Sequence, residues 1–262
     1  MGQSTNISLD SPSNFQTKLH RMKLFRFFDH ISRKLDEKIS PGYLFLDFYS
    51  LFWLFIVGSI AGLLIETIYH YFVFGGWESR AGLVWGPFSP IYGSGACILS
   101  VVLNRLYYFH NIIIFLSSMV IGSIIEYCTS WGMEYFWNAI AWDYSGTFGS
   151  INGRTNFFFG VMWGLLGLFW VRRMFPLIKW GFKHIDRKNK SFRVITILMT
   201  IFMLVNIDVT CLALNRQSER LADIPPHTQV DVWLDNTFPN EWLEKRFENM
   251  TVTAKKLPEK TN

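Results

Sequence analysis

The amino-acid sequence predicts an all-α membrane protein, a polytopic helical bundle of about five spans. Only 17% of its 262 residues are charged, whereas a soluble domain carries roughly 25%. The charged residues concentrate at the two ends of the chain and in one loop. The apolar blocks between them reach about 20 residues, which is the length that a helix needs to cross the hydrocarbon core.

Five apolar segments account for the predicted spans. The second segment differs from the others because its first part, WGPFSPIYGSG, contains two prolines and three glycines. Proline removes a backbone donor and clashes with the preceding helical turn, and irregular backbone at membrane depth is tolerated only inside protein or beside a wet cavity. We therefore expect a kinked or re-entrant second segment. The five segments lie near residues 49–74, 83–103, 112–137, 157–178 and 194–214.

The spans divide the chain into three regions. The basic N-terminal region, 1–47, is expected to contain an amphipathic helix over 18–38, which either lies on an anionic membrane surface or packs on a neighbour. The transmembrane domain covers 48–214. The C-terminal tail, 215–262, carries apolar residues spaced among charges. This spacing predicts short amphipathic helices, in either a docked cap or a flexible tail.

The distribution of lysine and arginine predicts the orientation. Seven of them lie in 1–47 and eight in 172–193, whereas the turns 75–82 and 138–156 contain one each. Because positively charged loops stay in the cytoplasm, we expect the N-terminus on the inner side of the bacterial inner membrane. With five spans the tail then lies outside, whereas an even number of spans would place it inside.

Composition and motifs narrow the class of function. The three cysteines fall inside apolar blocks and form neither a CxxC pair nor a cluster with histidine, so the sequence predicts neither a disulfide framework nor a zinc site. It contains no GxxxxGKS/T loop, HExxH or GxSxG motif. No cofactor or metal is therefore predicted, and an enzymatic role is left open. The basic residues flank the spans, which indicates the lipid bilayer and not a nucleic acid as partner.

Two stretches of the chain follow the same order of motifs. Each has a glycine and a glutamate four residues apart, a tryptophan–acid pair with a nearby serine, an arginine, and a GxxWG sequence at the head of the next span. This order predicts an internal repeat of two parallel two-span units, a pattern known from transporters. The alternative is shared composition, since tryptophan and glycine are common in spans. The copies cover residues 62–86 and 122–164.

Each glutamate of this repeat shares a helical face with small residues, because residues four apart lie on one face. Small residues let helices approach closely, so we expect both carboxylates to point at a neighbouring helix and not at lipid. The two faces contain Gly58, Gly62, Glu66 and His70 in the first span, and Ser118, Gly122, Glu126, Ser130 and Glu134 in the third.

Acidic residues within apolar runs are the main candidates for a functional site. A charge at the bilayer centre costs at least about 2.5–3.5 kcal/mol, so each of these acids must be protonated, paired or in contact with water. Arginines predicted near the outer ends of the same helices can supply the partners. The predicted polar site lies in the outer half of the membrane and comprises Glu66, Arg80, Glu126, Asp143, Arg154 and Asp208.

The residues alone leave the role of this polar site open. It can be a set of buried ion pairs that sets helix register, a site for a substrate, an ion or a proton, or an acid/base pair for catalysis. Three functions correspond to these roles. They are a permease component that needs a separate energy source, a membrane enzyme acting on a lipid-linked or envelope substrate, and a structural or regulatory subunit of a membrane complex.

Several motifs of the chain match those of one known family. They are GLLIE at 62–66, RAGLVWGPFSPIYG at 80–93, WDYSGTFGSINGR at 142–154, WGLLG at 163–167, and, in the tail, RQSERLADIPP at 216–226 and FPNEWLEKRFENM at 238–250. From about residue 52 to residue 176, and again in the tail, the chain resembles the bacterial ABC-transporter type IV (CmpB-like) family of integral membrane permeases. This resemblance implies a transporter permease, with a separate ATPase or another membrane subunit as the expected partner, and it transfers no substrate and no functional residue.

Overall fold

The fold was established from a computed structural model that describes residues 26–28, 30, 31, 34, 42–187 and 189–255. The few described residues before 42 are helical. The rest of the amphipathic helix predicted over 18–38 lies outside the described residues. The predicted division into three regions stays a prediction, and one long helix runs through its second boundary at residue 214.

Helices make up nearly all of the regular structure in the described part of the chain, which confirms the predicted all-α membrane protein. Among the described residues, four helical stretches are long and apolar enough to cross a membrane. A stretch of 27 residues is about 40 Å long, against roughly 30 Å of hydrocarbon. The helices are α1 (Phe48–Phe74), α2 (Pro90–Leu103), α3 (Asn111–Trp137), α4 (Phe157–Phe169), which continues through a π-helical turn (Trp170–Met174) into α5 (Phe175–Lys183), and α6 (Lys190–Arg220).

The second predicted span is broken, as its prolines and glycines indicate. Its helix α2 begins only at Pro90 and has 14 residues, which is about 21 Å and too short for the hydrocarbon core. Residues 75–89 before it form no helix. The Ser89 N–H donates to the Ser59 carbonyl at 3.2 Å, partway along α1. The second segment therefore joins an irregular half, residues 75–89, to a helical half; we call the irregular half the broken segment.

Glycines allow the helices to pack as two antiparallel pairs. In the first pair, a Cβ on Gly62 of α1 would collide with the Tyr92 ring of α2. In the second pair, a Cβ on Gly122 of α3 would collide with Trp163 of α4. Trp163 also reaches Gly95 of α2, where an added Cβ would lie 3.7 Å away. The small residues thus face neighbouring helices, and large apolar side chains are left on the outside of the bundle.

The loops gather at two ends of the bundle. Residues 42–47, 104–110 and 183–187 meet at one end, where the Leu44 N–H donates to Asn104 Oδ1 at 2.7 Å and Arg187 pairs with Asp47 at 3.1 Å. We call it the basic end. The broken segment, the loop 138–156 and the chain after α6 meet at the other end, which we call the tail end.

The chain after α6 folds back onto the tail end of the bundle. It contains the short helices α7 (Gln229–Thr237) and α8 (Asn240–Arg246), then strand β2 (Thr251–Val252), which pairs antiparallel with β1 (Ala139–Ile140). The apolar faces of α7 and α8 pack on α6 and on Val84 of the broken segment. The buried cluster consists of Val84, Ala213, Leu214, Leu234, Phe238, Leu243 and Phe247.

Candidate functional site

The broken segment has its backbone polar groups paired by side chains of α6. Asn206 accepts the Trp85 N–H at 3.2 Å and donates to the Trp85 carbonyl at 2.8 Å. Thr210, one turn further along α6, accepts the Val84 N–H at 3.0 Å. Unpaired backbone groups at membrane depth cost several kcal/mol each. These two side chains therefore allow non-helical backbone to enter the bundle.

The tail pairs with the same segment from the other side. Arg246 donates to the Leu83 carbonyl at 3.0 Å and to the Gly86 carbonyl. Glu248 accepts the Ser79 N–H at 2.5 Å, and Ser79 Oγ donates to the Arg246 carbonyl at 2.8 Å. The broken segment is thus held between α6 and the tail.

The first predicted carboxylate, Glu66, has a phenol and an arginine as partners. The Tyr92 hydroxyl donates to Glu66 Oε2 at 2.5 Å. Arg80 Nη1 lies 3.5 Å from Glu66 Oε1, so the structure brings together two members of the predicted polar site. Arg80 also contacts Glu78 at 2.9 Å, and Glu78 in turn contacts His70 Nε2 at 2.5 Å. Glu66 therefore belongs to a network of side-chain contacts that runs through Arg80 and Glu78 to His70, near the tail end of α1.

The second predicted carboxylate, Glu126, has neutral hydrogen-bond donors as partners, namely two hydroxyl groups and the side chain of Trp163. Thr155 Oγ1 donates to Glu126 Oε2 at 2.7 Å, and the Tyr144 hydroxyl donates to Glu126 Oε1 at 3.1 Å. Glu126 is only 6% exposed. Among the residues that the structure describes, no lysine, arginine or histidine forms an ion pair with Glu126. Its environment therefore differs from that of Glu66.

The loop 138–156 presents both of these donors. The Tyr144 N–H donates to the Gly153 carbonyl at 2.7 Å, and Ile151 forms an isolated bridge with Thr155. Gly153 has φ of 70°, and a Cβ there would collide with Asp143, so glycine is required at this turn. Burial and the neighbouring Glu126 carboxylate raise the pKa of the Tyr144 phenol above its ordinary value. Tyr144 therefore keeps its proton and acts as a donor.

The second predicted arginine pairs with an acid other than Glu126. Arg154 Nη2 lies 2.6 Å from Glu134, two helical turns further along α3. Arg154 Nη1 also donates to Ser130 Oγ at 3.4 Å, and its carbonyl accepts the Trp142 indole N–H at 2.9 Å. The structure thus brings Arg154 to the predicted face of α3, but it does not place Arg154 beside Glu126.

The two remaining predicted residues lie apart from both carboxylates. Asp143 is in the loop and accepts the Ser145 N–H at 2.8 Å. Hydrogen bonds from the Ser145 side chain and backbone hold the pKa of Asp143 below its ordinary value. Asp208 is exposed on α6, although its neighbours Asn206 and Thr210 bind the broken segment. Asp208 therefore shares the helix, but not the contacts, of the site.

The phenols that contact the two carboxylates also interact with each other electrostatically. Tyr144 interacts electrostatically with Glu66 and with Tyr92. Neither phenol was among the predicted site residues, and Thr155 was also absent from them. Both tyrosines lie in sequence motifs noted above, PIYG and WDYS, and these motifs were the available signal. We call Glu66, Tyr92, Glu126, Tyr144 and Thr155 the acid–hydroxyl cluster.

Metal binding has no support in the described residues. No group of three or more histidine, cysteine, aspartate or glutamate side chains among them could hold a metal ion. The chemistry that the acid–hydroxyl cluster offers is therefore hydrogen bonding, charge compensation and proton exchange.

Comparisons with known proteins identify one family for this chain. Neither the curated proteins nor the solved structures gave a match. One family model does match, over residues 53–211, and this range includes every member of the acid–hydroxyl cluster. Because it covers more than half of the sequence, the chain belongs to the membrane-protein family described as "Putative ABC-transporter type IV".

Proposed function

We propose that the protein is the membrane-spanning permease component of a transporter and that Glu126 binds its solute as a cation or exchanges a proton. The observation that carries this proposal is a carboxylate that is 6% exposed, lies within a membrane-spanning helix and has neutral hydrogen-bond donors but no cationic partner among the described residues. Family membership supports the transport role.

A carboxylate in this environment has two stable states. An isolated buried anion is strongly unfavourable, so the group either takes up a proton or has a positive charge beside it. Among the described side chains, none supplies that charge to Glu126. A proton or a cationic solute that arrives at Glu126 would therefore supply the positive charge that no described side chain provides.

Glu66 would have a different role in the same cluster. Arg80 lies 3.5 Å from Glu66 and shares its positive charge between Glu66 and Glu78, so Glu66 has less need of a mobile cation than Glu126. The contact between Glu66 and the Tyr92 hydroxyl at 2.5 Å holds this phenol within the acid–hydroxyl cluster. We infer that Glu66 and Arg80 position the cluster and that Glu126 changes its charge.

The likeness between the two helix pairs supports a duplication. The first pair contributes Glu66 with the phenol of Tyr92, and the second contributes Glu126 with the phenol of Tyr144. Both glutamates follow a glycine by four residues, and in both pairs that glycine packs against an aromatic ring of the next helix. We infer that the two pairs are copies of one unit and that solute binds where they meet.

The proposed permease needs an energy source and an orientation. The chain has no nucleotide-binding loop of the GxxxxGKS/T type, so we propose a separate ATPase as partner. The excess of lysine and arginine in 1–47 and 172–193 supports an N-terminus in the cytoplasm of a bacterium, with the basic end inside. ATP hydrolysis that co-purifies with this chain in mild detergent would support the partner, and its absence from an intact complex would contradict it.

The experiment that tests the site compares Glu126→Gln with the wild type in lipid vesicles. Glutamine keeps the size and one acceptor oxygen but cannot exchange a proton or balance a cation. We would load the vesicles with a pH-sensitive dye and apply gradients of protons, sodium, potassium, ammonium and a polyamine in turn. Glu241→Gln, on the exposed surface of α8, serves as the matched control.

The expected result is flux of at least one probe that falls at least about tenfold in Glu126→Gln and stays unchanged in Glu241→Gln. Tenfold corresponds to about 1.4 kcal/mol, less than the cost of an uncompensated charge in the membrane. Equal flux of every probe through the wild type and Glu126→Gln would overturn the proposed site.

A further inference from the structure

A pocket of about 530 Å³ opens at the basic end of the bundle, far from the acid–hydroxyl cluster. It lies between the chain before α1 and the last turns of α5. Aromatic rings and cations share its walls, and the side chains that matter are Tyr43, Phe45, Lys179, Phe182, Lys183 and Arg187. We call it the basic pocket.

One cation of the basic pocket has a structural partner. Arg187 Nη1 lies 3.1 Å from Asp47 Oδ2, and Asp47 also caps α1 by accepting the Ser50 N–H at 2.9 Å. The Arg187 guanidinium lies over the rings of Phe45 and Phe182, at 5.1 and 5.4 Å from their centroids. Asp47 therefore compensates the positive charge of Arg187, and the guanidinium is held in place at one side of the pocket.

The two lysines of the pocket are free to bind an anion. Lys179 and Lys183 are four residues apart on α5 and so lie on one face, and both are exposed. Lys179 Nζ lies 4.0 Å from the centroid of Tyr43, whose ring stacks on Tyr107 at 3.7 Å. Among the described residues neither lysine forms an ion pair. The pocket thus holds positive charge that no described carboxylate compensates.

The position of the pocket along the span indicates what kind of anion reaches it. Lys183 is the last residue of the candidate span Phe157–Lys183. Leu177 and Trp180, beside the lysines, are 55% and 63% exposed. Exposed tryptophan near the end of a span is typical of the headgroup level of a bilayer. The lysines therefore stand where lipid phosphates lie, with apolar side chains next to them for acyl chains.

We propose that the basic pocket binds the phosphate headgroup of an anionic phospholipid. Lys179 and Lys183 would contact the phosphate as point charges, and Tyr43 would hold Lys179 in place. Basic pockets between spans are known to bind anionic headgroups. This site is independent of the solute site proposed above, because it uses no residue of the acid–hydroxyl cluster.

The test measures lipid binding to the purified full chain in a neutral detergent. Short-chain phosphatidylglycerol is titrated, with short-chain phosphatidylcholine and inorganic phosphate as comparisons, and binding is read by native mass spectrometry and by the shift in melting temperature. Lys179→Gln/Lys183→Gln removes the two charges. Lys190→Gln/Lys245→Gln removes two exposed charges elsewhere and is the matched control, and Lys179→Arg/Lys183→Arg keeps the charge.

Phosphatidylglycerol is expected to bind the wild type, the arginine variant and the control with similar affinity. The glutamine variant of the pocket should bind at least about tenfold more weakly, since it removes both positive charges that attract the phosphate. Equal binding of phosphatidylglycerol and phosphatidylcholine would overturn the proposal, as would unchanged affinity in the pocket variant. Displacement of the lipid by an equal concentration of inorganic phosphate would identify a free-phosphate site instead.

Discussion

Asn206 pairs with both backbone groups of Trp85, accepting its N–H at 3.2 Å and donating to its carbonyl at 2.8 Å. Asn206 is fully buried, on a helix whose apolar run reaches membrane-spanning length. An asparagine amide has both a donor and an acceptor. The side chain of Asn206 can therefore pair with the N–H and the carbonyl of Trp85, which would bond to other backbone groups in a helix. The broken segment depends on this contact for its place inside the bundle.

Asn206→Ala is therefore expected to destabilise the protein strongly. It leaves the N–H and the carbonyl of Trp85 without partners, at about 1–3 kcal/mol for each buried group. Unfolding in mixed detergent micelles measures the loss of free energy. Val205→Ala, at the exposed neighbouring position, should cost well under half as much, and equal losses in the two variants would contradict this role of Asn206.

Arg246→Gln should loosen the broken segment without unfolding the bundle. Arg246 donates to the carbonyls of Leu83 and Gly86, and hydrogen bonds from a charged group contribute about 1.5–3 kcal/mol each. We expect amide hydrogen exchange across residues 75–89 to become at least about tenfold faster, while exchange in α3 stays unchanged. Lys245→Gln, which removes the neighbouring charge, should leave exchange in both regions as in the wild type.

Gly122 lies on the same face of α3 as Glu126, and we expect that a residue with a side chain cannot replace it without loss of stability. A Cβ on Gly122 would collide with Trp163, whereas a Cβ on Gly132 of the same helix meets nothing within 4 Å. Gly122→Ala should therefore destabilise by about 1–3 kcal/mol through overpacking. Gly132→Ala should be neutral or stabilise by up to about 1 kcal/mol, because alanine favours the helix. Thermal unfolding of both variants checks the difference, and a similar shift in both would show that the close helix contact is absent.

Attachment of the tail should weaken in acid. Arg216 donates to both carboxylate oxygens of Asp235 at 2.9 and 3.0 Å, and Arg220 donates to Asp235 Oδ1 at 2.6 Å. The hydrogen bonds from Arg216 hold the pKa of Asp235 below its ordinary value, which is about 3.9. The folded state therefore favours the ionised form. Its contribution to stability is complete above that pH and is lost as the pH falls through the lowered pKa.

Asp235→Asn should remove this acid sensitivity. We expect the variant to unfold more easily than the wild type at neutral pH, by about 1–3 kcal/mol, and the two to converge as the pH falls below about 4. Hydrogen exchange in α7, followed from pH 6 to pH 2.5, measures both effects. Glu241→Gln controls for loss of an exposed acid in the tail. A constant difference between wild type and Asp235→Asn over the whole pH range would exclude the predicted linkage.

Local composition was enough to predict the spans and the break between them. Hydropathy over about 20 residues depends on the residues themselves and hardly on their neighbours in space. The predicted segments 49–74 and 112–137 therefore begin within one residue of the observed starts of α1 and α3. The irregular start of the second segment followed from Pro87 and Pro90, whose effect on a helix is equally local.

Hydropathy and helical periodicity were sufficient to indicate a helical membrane bundle and to place two glutamates on faces that they share with glycine. The partners of these glutamates depend on how the loops pack. Arg154 reaches Glu134 at 2.6 Å, and Glu126 has neutral donors, among them Thr155 and Tyr144. A helical period specifies a face of the helix but not the path of the loop that crosses this face. The turn at Gly153 helps to set the position of Arg154 along α3, and no local sequence pattern encodes that position.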